Sequence, residues 1–160
     1  PNLAISLHAP DEARRSEIMP VNRSYPLADL LDALRRFPLE SRRRITIEYI
    51  LLAGFNDRPA DAVALAQILR KLPVKVNLIP FNADPVLGDR FTRPADAVVT
   101  RFQETLIARN LTATVRRTRG EDVGAACGQL RAFARPPRPR QVKAVAKPVE
   151  APADDLRQPS

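Results

Sequence analysis

The chain has 160 residues, a formal net charge of +8, 44% hydrophobic residues and a single cysteine. One cysteine excludes an internal disulfide framework, and no apolar run approaches the length of a membrane span. These features favour a cytoplasmic protein without a membrane partner, and because the chain begins at Pro1 we interpret it as a fragment of a longer one. The basic balance favours a polyanionic partner such as nucleic acid, although solubility alone also accounts for it.

Strands and helices are predicted to alternate along the chain. Short apolar or alternating runs predict strands at residues 3–7, 44–52, 74–79 and 112–117. Between them, helical spacing predicts a short helix at 11–19 and longer helices starting at Pro26, Pro59 and Thr92. The strand at 44–52 is expected to be buried on both faces, as in a parallel sheet. The order predicts an α/β fold with right-handed crossovers.

Local signals fix the helix ends and faces. Asp11 and Thr92 are predicted N-caps, and Asn110 is a predicted stop. Each longer helix has an apolar stripe that we interpret as packing. The stripes consist of Leu27, Leu30, Leu31, Leu34 and Phe37; of Ala62, Leu65, Ala66 and Leu69; and of Ala95, Val98, Val99, Phe102 and Leu106.

In such folds, binding residues gather at the carboxyl ends of the strands. The four predicted strand ends are residues 6–8, 52–56, 80–82 and 118–127, the last with the cysteine, and three of the four offer polar groups. Arginines near Cys127 favour its thiolate, and small neighbours leave the sulfur accessible. A buried, inert thiol is the alternative at Cys127, and a purely structural histidine is the alternative at His8.

Six short motifs occur in one order. They are AISLHAP at 4–10, IMPVN at 18–22, TIEY at 46–49, NLIPFN at 77–82, VRRTRG at 115–120 and AACGQL at 125–130. This set resembles the C-terminal half of the dual-specificity radical SAM methyltransferases, enzymes that methylate C2 of adenine in 23S rRNA and in tRNA. The resemblance covers about residues 2–130 and implies the second half of a partial (βα)₆ barrel.

The resemblance also implies the site. Cys127 would carry the methyl group as S-methylcysteine, and S-adenosyl-L-methionine would contact Ser6, Leu7, His8 and Asn82. A second S-adenosylmethionine, cleaved at a [4Fe-4S] cluster, would supply the radical that activates the methyl group. The C-x-x-x-C-x-x-C cluster motif and a resolving cysteine are absent from this chain, so their expected place is upstream of residue 1 and no metal ligand is predicted here.

Three alternatives remain at this point. A sister group of the same enzymes methylates adenine C8 instead of C2. A basic RNA-binding module without chemistry would tolerate loss of Cys127. A cysteine-nucleophile hydrolase or transferase would need a base beside the thiol, and the only histidine, His8, is far away in sequence.

Two domains are predicted. Residues 1–130 form the methyltransferase part, which we expect to be monomeric. Residues 131–160 hold six of the sixteen prolines among Ala, Arg and Lys, and carry a net charge of +4. That composition cannot bury enough apolar surface to order the segment, so it is predicted to be a disordered tail, with sequence-independent RNA contacts as its only evident use.

Overall fold

A computed structural model describes residues 3–82 and 90–116 of the chain. It contains four strands and four α-helices; two helices lie between the first and second strands, and one helix lies between each later pair of strands. The strands are β1 (Ala4–Ser6), β2 (Ile45–Leu51), β3 (Val74–Pro80) and β4 (Thr112–Val115). The helices are α1 (Glu12–Ile18), α2 (Leu27–Arg36), α3 (Pro59–Leu69) and α4 (Asp96–Ile107), with a 3₁₀ turn at Pro20–Arg23 between α1 and α2.

All neighbouring strands pair in parallel, in the order β1-β2-β3-β4. The predicted α/β class is therefore confirmed. Because parallel strands share one direction, every strand ends at the same edge of the sheet. We call this the carboxyl edge, and the opposite one the amino edge.

Helices α2, α3 and α4 contribute to the main core on one face of the sheet. Ile47, Tyr49 and Leu78 point into this core, and Tyr49 stacks on Phe102 of α4 with ring centroids 5.5 Å apart. The predicted stripe of α3 is fully confirmed, since all four of its residues are buried. In α2, Leu27, Leu31 and Leu34 are buried, whereas Phe37 follows the helix and is 42% exposed.

A second, smaller core lies above the carboxyl half of the sheet's other face. It includes Ile18 and Met19 at the end of α1, Ile50 and Ile79 from the strands, and Phe91. The amino half of that face is different, because Thr46 and Glu48 of β2 are only partly buried. The prediction that β2 is buried on both faces therefore holds only for its last residues.

Two predicted helix signals have different outcomes. Thr92 was the wrong N-cap for α4, because the helix begins at Asp96 with Ala95 as its cap. Pro94 explains the shift, since the residue before a proline avoids helical backbone angles. Ala95 is consequently exposed and lies outside the buried face. Asn110, in contrast, has a φ of 63°, the left-handed conformation expected just past a helix end.

Candidate functional site

The carboxyl edge brings together residues 6–8 and 80–82, two of the strand ends that the sequence singled out. Ser6 is the last residue of β1, His8 follows it by two residues, and Asn82 follows β3 by two. Strand β2 lies between β1 and β3, so His8 and Asn82 flank its end at one edge. Ser6 and Asn82 are partly buried. Leu7 is fully buried in the main core; its backbone N–H donates to the Glu48 carbonyl at 3.0 Å, and its carbonyl accepts from the Ala9 N–H at 2.8 Å.

His8 ends β1 with a left-handed turn. Its φ is 59°, an uncommon value for a residue with a side chain, and its ring is 1% exposed. The Nδ1 atom accepts a hydrogen bond from the backbone N–H of Ile50 at 3.2 Å. Burial, together with the nearby Arg15 charge, lowers the pKa of His8 from 6.5 to about 3, and the neighbouring Glu48 backbone opposes part of this shift. The ring is therefore neutral at physiological pH.

The second ring nitrogen of His8 has no partner. Since Nδ1 is the acceptor, the neutral ring carries its proton on Nε2. That atom is buried and donates to no other group in the described part of the chain. Buried polar atoms are nearly always satisfied, so an unused donor at a strand end is an observation that a bound ligand would explain.

Asn56 holds the ends of β1 and β2 together. Its side-chain oxygen accepts from the N–H of Leu52 at 2.7 Å, and its amide donates to the carbonyls of His8 and Ile50, each at 2.7 Å. Asn56 is fully buried, and its own carbonyl accepts from the Tyr49 hydroxyl at 3.0 Å. The sequence placed Asn56 in a turn at a strand end and assigned its side chain no role, yet this side chain fixes the backbone from which His8 projects.

Ion pairs tie α1 to α3 beside the same edge. Arg14 reaches Asp61 at 2.7 Å and Asp11 at 2.6 Å, and donates to the carbonyl of Phe55 at 2.9 Å. Burial would raise the pKa of Asp61, but hydrogen bonds from Arg14 and Arg58 outweigh it and hold that pKa below its ordinary value. Asp11 is also the predicted N-cap of α1, and its carboxylate accepts from the Arg14 N–H at 2.9 Å. The N-cap prediction is confirmed.

The motif IMPVN has a structural role within the described residues. Asn22 is fully buried, and its amide donates to Glu12 at 2.6 Å and to the Ser16 hydroxyl at 2.7 Å. Its side-chain oxygen accepts from the buried guanidinium of Arg15. Glu12 in turn accepts from the N–H of Leu27 at the start of α2. This network fixes α1 against α2 and explains why the motif needs its asparagine.

A row of polar side chains crosses the open face of the sheet. Ser6 is in register with Glu48, Glu48 with Asn77, and Asn77 with Thr114, so one polar residue from each strand lies at the same level. The first three are partly buried and Thr114 is exposed. Because alternate residues of a strand share a face, these four lie on the face opposite the main core. The sequence prediction included only Ser6 of this row.

Asn82 lies beside a cationic cavity. Its side-chain oxygen accepts from Arg93 at 3.0 Å. Arg93 also lines a cavity of about 390 Å³ between α4 and the ends of β3 and β4, together with Arg116. Arg116 leads into the segment that carries Cys127. Cys127 itself, like the whole predicted tail, lies outside the described residues, so its role stays a prediction.

Within residues 3–82 and 90–116, no helix is long and apolar enough to cross a membrane. In the same ranges, no group of three or more His, Cys, Asp or Glu side chains could hold a metal ion.

Comparison with known proteins identifies close relatives. The chain is 55% identical over 144 residues to the dual-specificity RNA methyltransferase RlmN of Anaeromyxobacter dehalogenans, covering 90% of this chain and 38% of the relative. It is 57% identical over 128 residues to the protein of the same name from Sorangium cellulosum, covering 80% of this chain and 32% of that one. The chain thus spans about a third of the length of these relatives. No family model matches it.

Solved structures agree with the fold. A radical SAM methyltransferase from Sphaerobacter thermophilus matches with a TM-score of 0.72 and 48% identity, over 80% of this chain and 37% of that one. A domain of a pyruvate-formate lyase-activating enzyme from Bacteroides vulgatus matches with a TM-score of 0.56 at 20% identity, which supports the fold alone. The resemblance inferred from the ordered motifs is confirmed.

Proposed function

From its confirmed resemblance to a part of the dual-specificity radical SAM RNA methyltransferases, we propose that this chain takes part in methylating C2 of adenine in 23S rRNA and tRNA. The observation that carries the proposal is identity above 50% to relatives of that name, on a fold shared with a radical SAM methyltransferase. Those names favour this function over binding without chemistry and over a cysteine hydrolase.

The carboxyl edge suits a bound S-adenosylmethionine. It offers the hydroxyl of Ser6, the unused Nε2–H donor of His8 and the amide of Asn82. The neutral state of His8 helps, because a buried imidazolium would repel the positive sulfonium of that cofactor. Leu7 contributes backbone and core packing. When bound, S-adenosylmethionine supplies the methyl group and, with an iron–sulfur cluster held outside this chain, the radical chemistry.

Cys127 is the proposed methyl carrier. The residues around it are small, and arginines precede it in the sequence, so its thiolate is favoured and open to a nearby methyl donor. The role of the carboxyl edge is to hold the cofactor and the target base close to this thiolate. Asn56 supports that role by fixing the backbone of His8.

The experiment compares the full-length protein with its Cys127→Ala variant. Loss of 2-methyladenosine formation is expected, with cleavage of S-adenosylmethionine retained, because Cys127 carries the methyl group but holds no cluster. The control is Gln67→Ala, an exposed position on α3 outside the cavity at the carboxyl edge, which should leave methylation unchanged. Normal RNA methylation by Cys127→Ala would refute the assignment.

A further inference from the structure

The amino edge of the sheet forms one surface, far from the carboxyl edge. Three loops lead there from a helix into the next strand, at residues 37–44, 70–73 and 108–111. They touch one another, because the N–H of Ile45 donates to the carbonyl of Pro73 at 2.9 Å and the Arg44 guanidinium donates to the Thr112 hydroxyl at 2.6 Å. The side chains of these three loops therefore lie on one continuous surface.

This surface is strongly basic. Its loops and the adjoining strand starts hold a single carboxylate, Glu40, against seven exposed cations: Arg42, Arg43, Arg44, Arg70, Lys71, Lys75 and Arg109. Four of them line one open hollow of about 280 Å³, and we call these four the amino-edge basic surface: Arg42, Arg43, Arg44 and Lys75.

The charges of this surface are mostly uncompensated. Within the described residues, Arg43 is the one member with an ion-pair partner, Glu40 at 2.8 Å, and both side chains are exposed. The carboxyl edge shows the opposite pattern. There Arg58, Arg90 and Arg93 each pair with a carboxylate within about 3.2 Å. Within the described residues, three of the cations beside the proposed cofactor site are thus neutralised, with Arg116 as the exception, whereas three of the four at the far edge have no ion-pair partner.

Helix dipoles do not explain the basic surface. Cations near a helix C-terminus interact favourably with it, but the effect is limited to about the last turn. Arg109 and Arg70 fall within such turns at the ends of α4 and α3. The basic surface does not, because α2 ends at Arg36, six residues before Arg42, and Lys75 lies inside β3.

The local backbone presents these side chains outward. The N–H of Arg43 donates to the carbonyl of Glu40 at 3.1 Å, closing a turn in which Arg42 has a φ of 67°. A left-handed backbone is uncommon for an arginine, and glycine or asparagine adopts it at lower conformational cost. The turn nevertheless places the long cationic side chain of Arg42 at this position. Guanidinium groups bind phosphate oxygens in a bidentate manner, and several around one hollow suit a phosphate backbone.

We propose that the amino-edge basic surface binds the phosphate backbone of RNA, away from the nucleotide that enters the carboxyl edge. The inference rests on the proposed function only in taking RNA as the polyanion. A seven-residue strand such as β2 separates the two edges by about 23 Å at 3.3 Å per residue. The contact therefore involves a distant part of a structured RNA, and it contributes affinity without sequence information.

The test removes two of the uncompensated charges in the full-length protein. Arg42→Gln and Lys75→Gln are combined, and the control combines Arg23→Gln with Arg101→Gln, two exposed arginines elsewhere. Binding of tRNA is measured over a series of salt concentrations. Each lost phosphate contact should reduce the slope of log K against log salt by about 0.9, hence by roughly two for the pair, and weaken binding roughly tenfold or more at about 0.1 M salt.

Further readouts separate the outcomes. Thermal melting should be unchanged, and the methylation rate at saturating tRNA should match the parent. An unchanged salt slope, an equal change in the control, or a loss of rate at saturation would overturn the proposal. Charge-dependent binding to phosphatidylserine vesicles with tRNA binding unaffected would also overturn it, in favour of a lipid. Absence of methylation in the parent protein would contradict the proposed function only, because the salt slope of tRNA binding tests the amino-edge basic surface independently.

Discussion

Replacing Asn56 with alanine should strongly destabilise the protein. The change removes three hydrogen bonds of 2.7 Å, to the N–H of Leu52 and to the carbonyls of His8 and Ile50. Each buried group left without a partner costs about 1–3 kcal/mol. Counting only the Leu52 N–H and the His8 carbonyl, the free energy of unfolding should fall by about 2–6 kcal/mol, a large part of the total for a small domain.

Urea denaturation of the full-length protein measures this loss directly, provided that the slope with denaturant is unchanged. Gln67→Ala is the matched control, because that amide is exposed on α3 and its removal should change stability by less than about 0.5 kcal/mol. Asn56→Asp keeps the acceptor for Leu52 but sets a carboxylate against two carbonyls. It should be at least as unstable as the alanine variant at neutral pH and recover partly in acid, where protonation restores a donor.

The same variants connect stability with the proposed site. Because Asn56 anchors the His8 carbonyl, the alanine variant should also bind S-adenosylmethionine more weakly under conditions where it remains folded. A loss of less than about 1 kcal/mol in Asn56→Ala would refute the reasoning, since it would mean that these hydrogen bonds contribute little to holding the strand ends.

Three further predictions concern other parts of the chain. The pKa of His8 is about 3 in the folded protein and 6.5 in the unfolded chain. The stability that neutral His8 contributes is therefore complete above pH 6.5 and is lost as the pH falls toward 3. In urea denaturation across that pH window, His8→Asn should reduce the pH dependence of the free energy of unfolding by up to about 1.4 kcal/mol per pH unit. Asn110→Gly should be neutral or stabilising in thermal melts, and Asn110→Ala destabilising by about 1 kcal/mol, because the φ of 63° suits glycine. Truncation after Ala134 should leave methylation at saturating RNA intact while reducing the salt slope of binding by a few units; loss of turnover would place the tail in the active site.

Much of the fold could be predicted from local patterns. The alternation in β2 and the apolar spacing in α3 are direct consequences of which face is buried, and both agree with the structure. Thr92 has a side chain suited to an N-cap, but a helix capped there would need helical backbone angles at Arg93, which Pro94 disfavours. Phe37 shows the same limit, since Arg36 ends the helix before the stripe is complete.

The site was less accessible to sequence reasoning, for a physical reason. Asn56 binds His8, 48 positions earlier, and a contact between such distant residues leaves no periodic signal. The polar row through Glu48 and Asn77 depends on strand register, which only the assembled sheet defines. Locally, the sequence shows only that Asn56 follows Gly54 in a turn, and that Glu48 alternates with apolar residues in β2.

The most direct test of the central claim is mass spectrometry of the peptide that contains Cys127, after the full-length protein has been isolated from cells or incubated with S-adenosylmethionine. The proposed function predicts one additional methyl group on the Cys127 sulfur, and none on the same peptide of the Cys127→Ala variant. A protein that methylates RNA while Cys127 remains unmodified in every state sampled would contradict it.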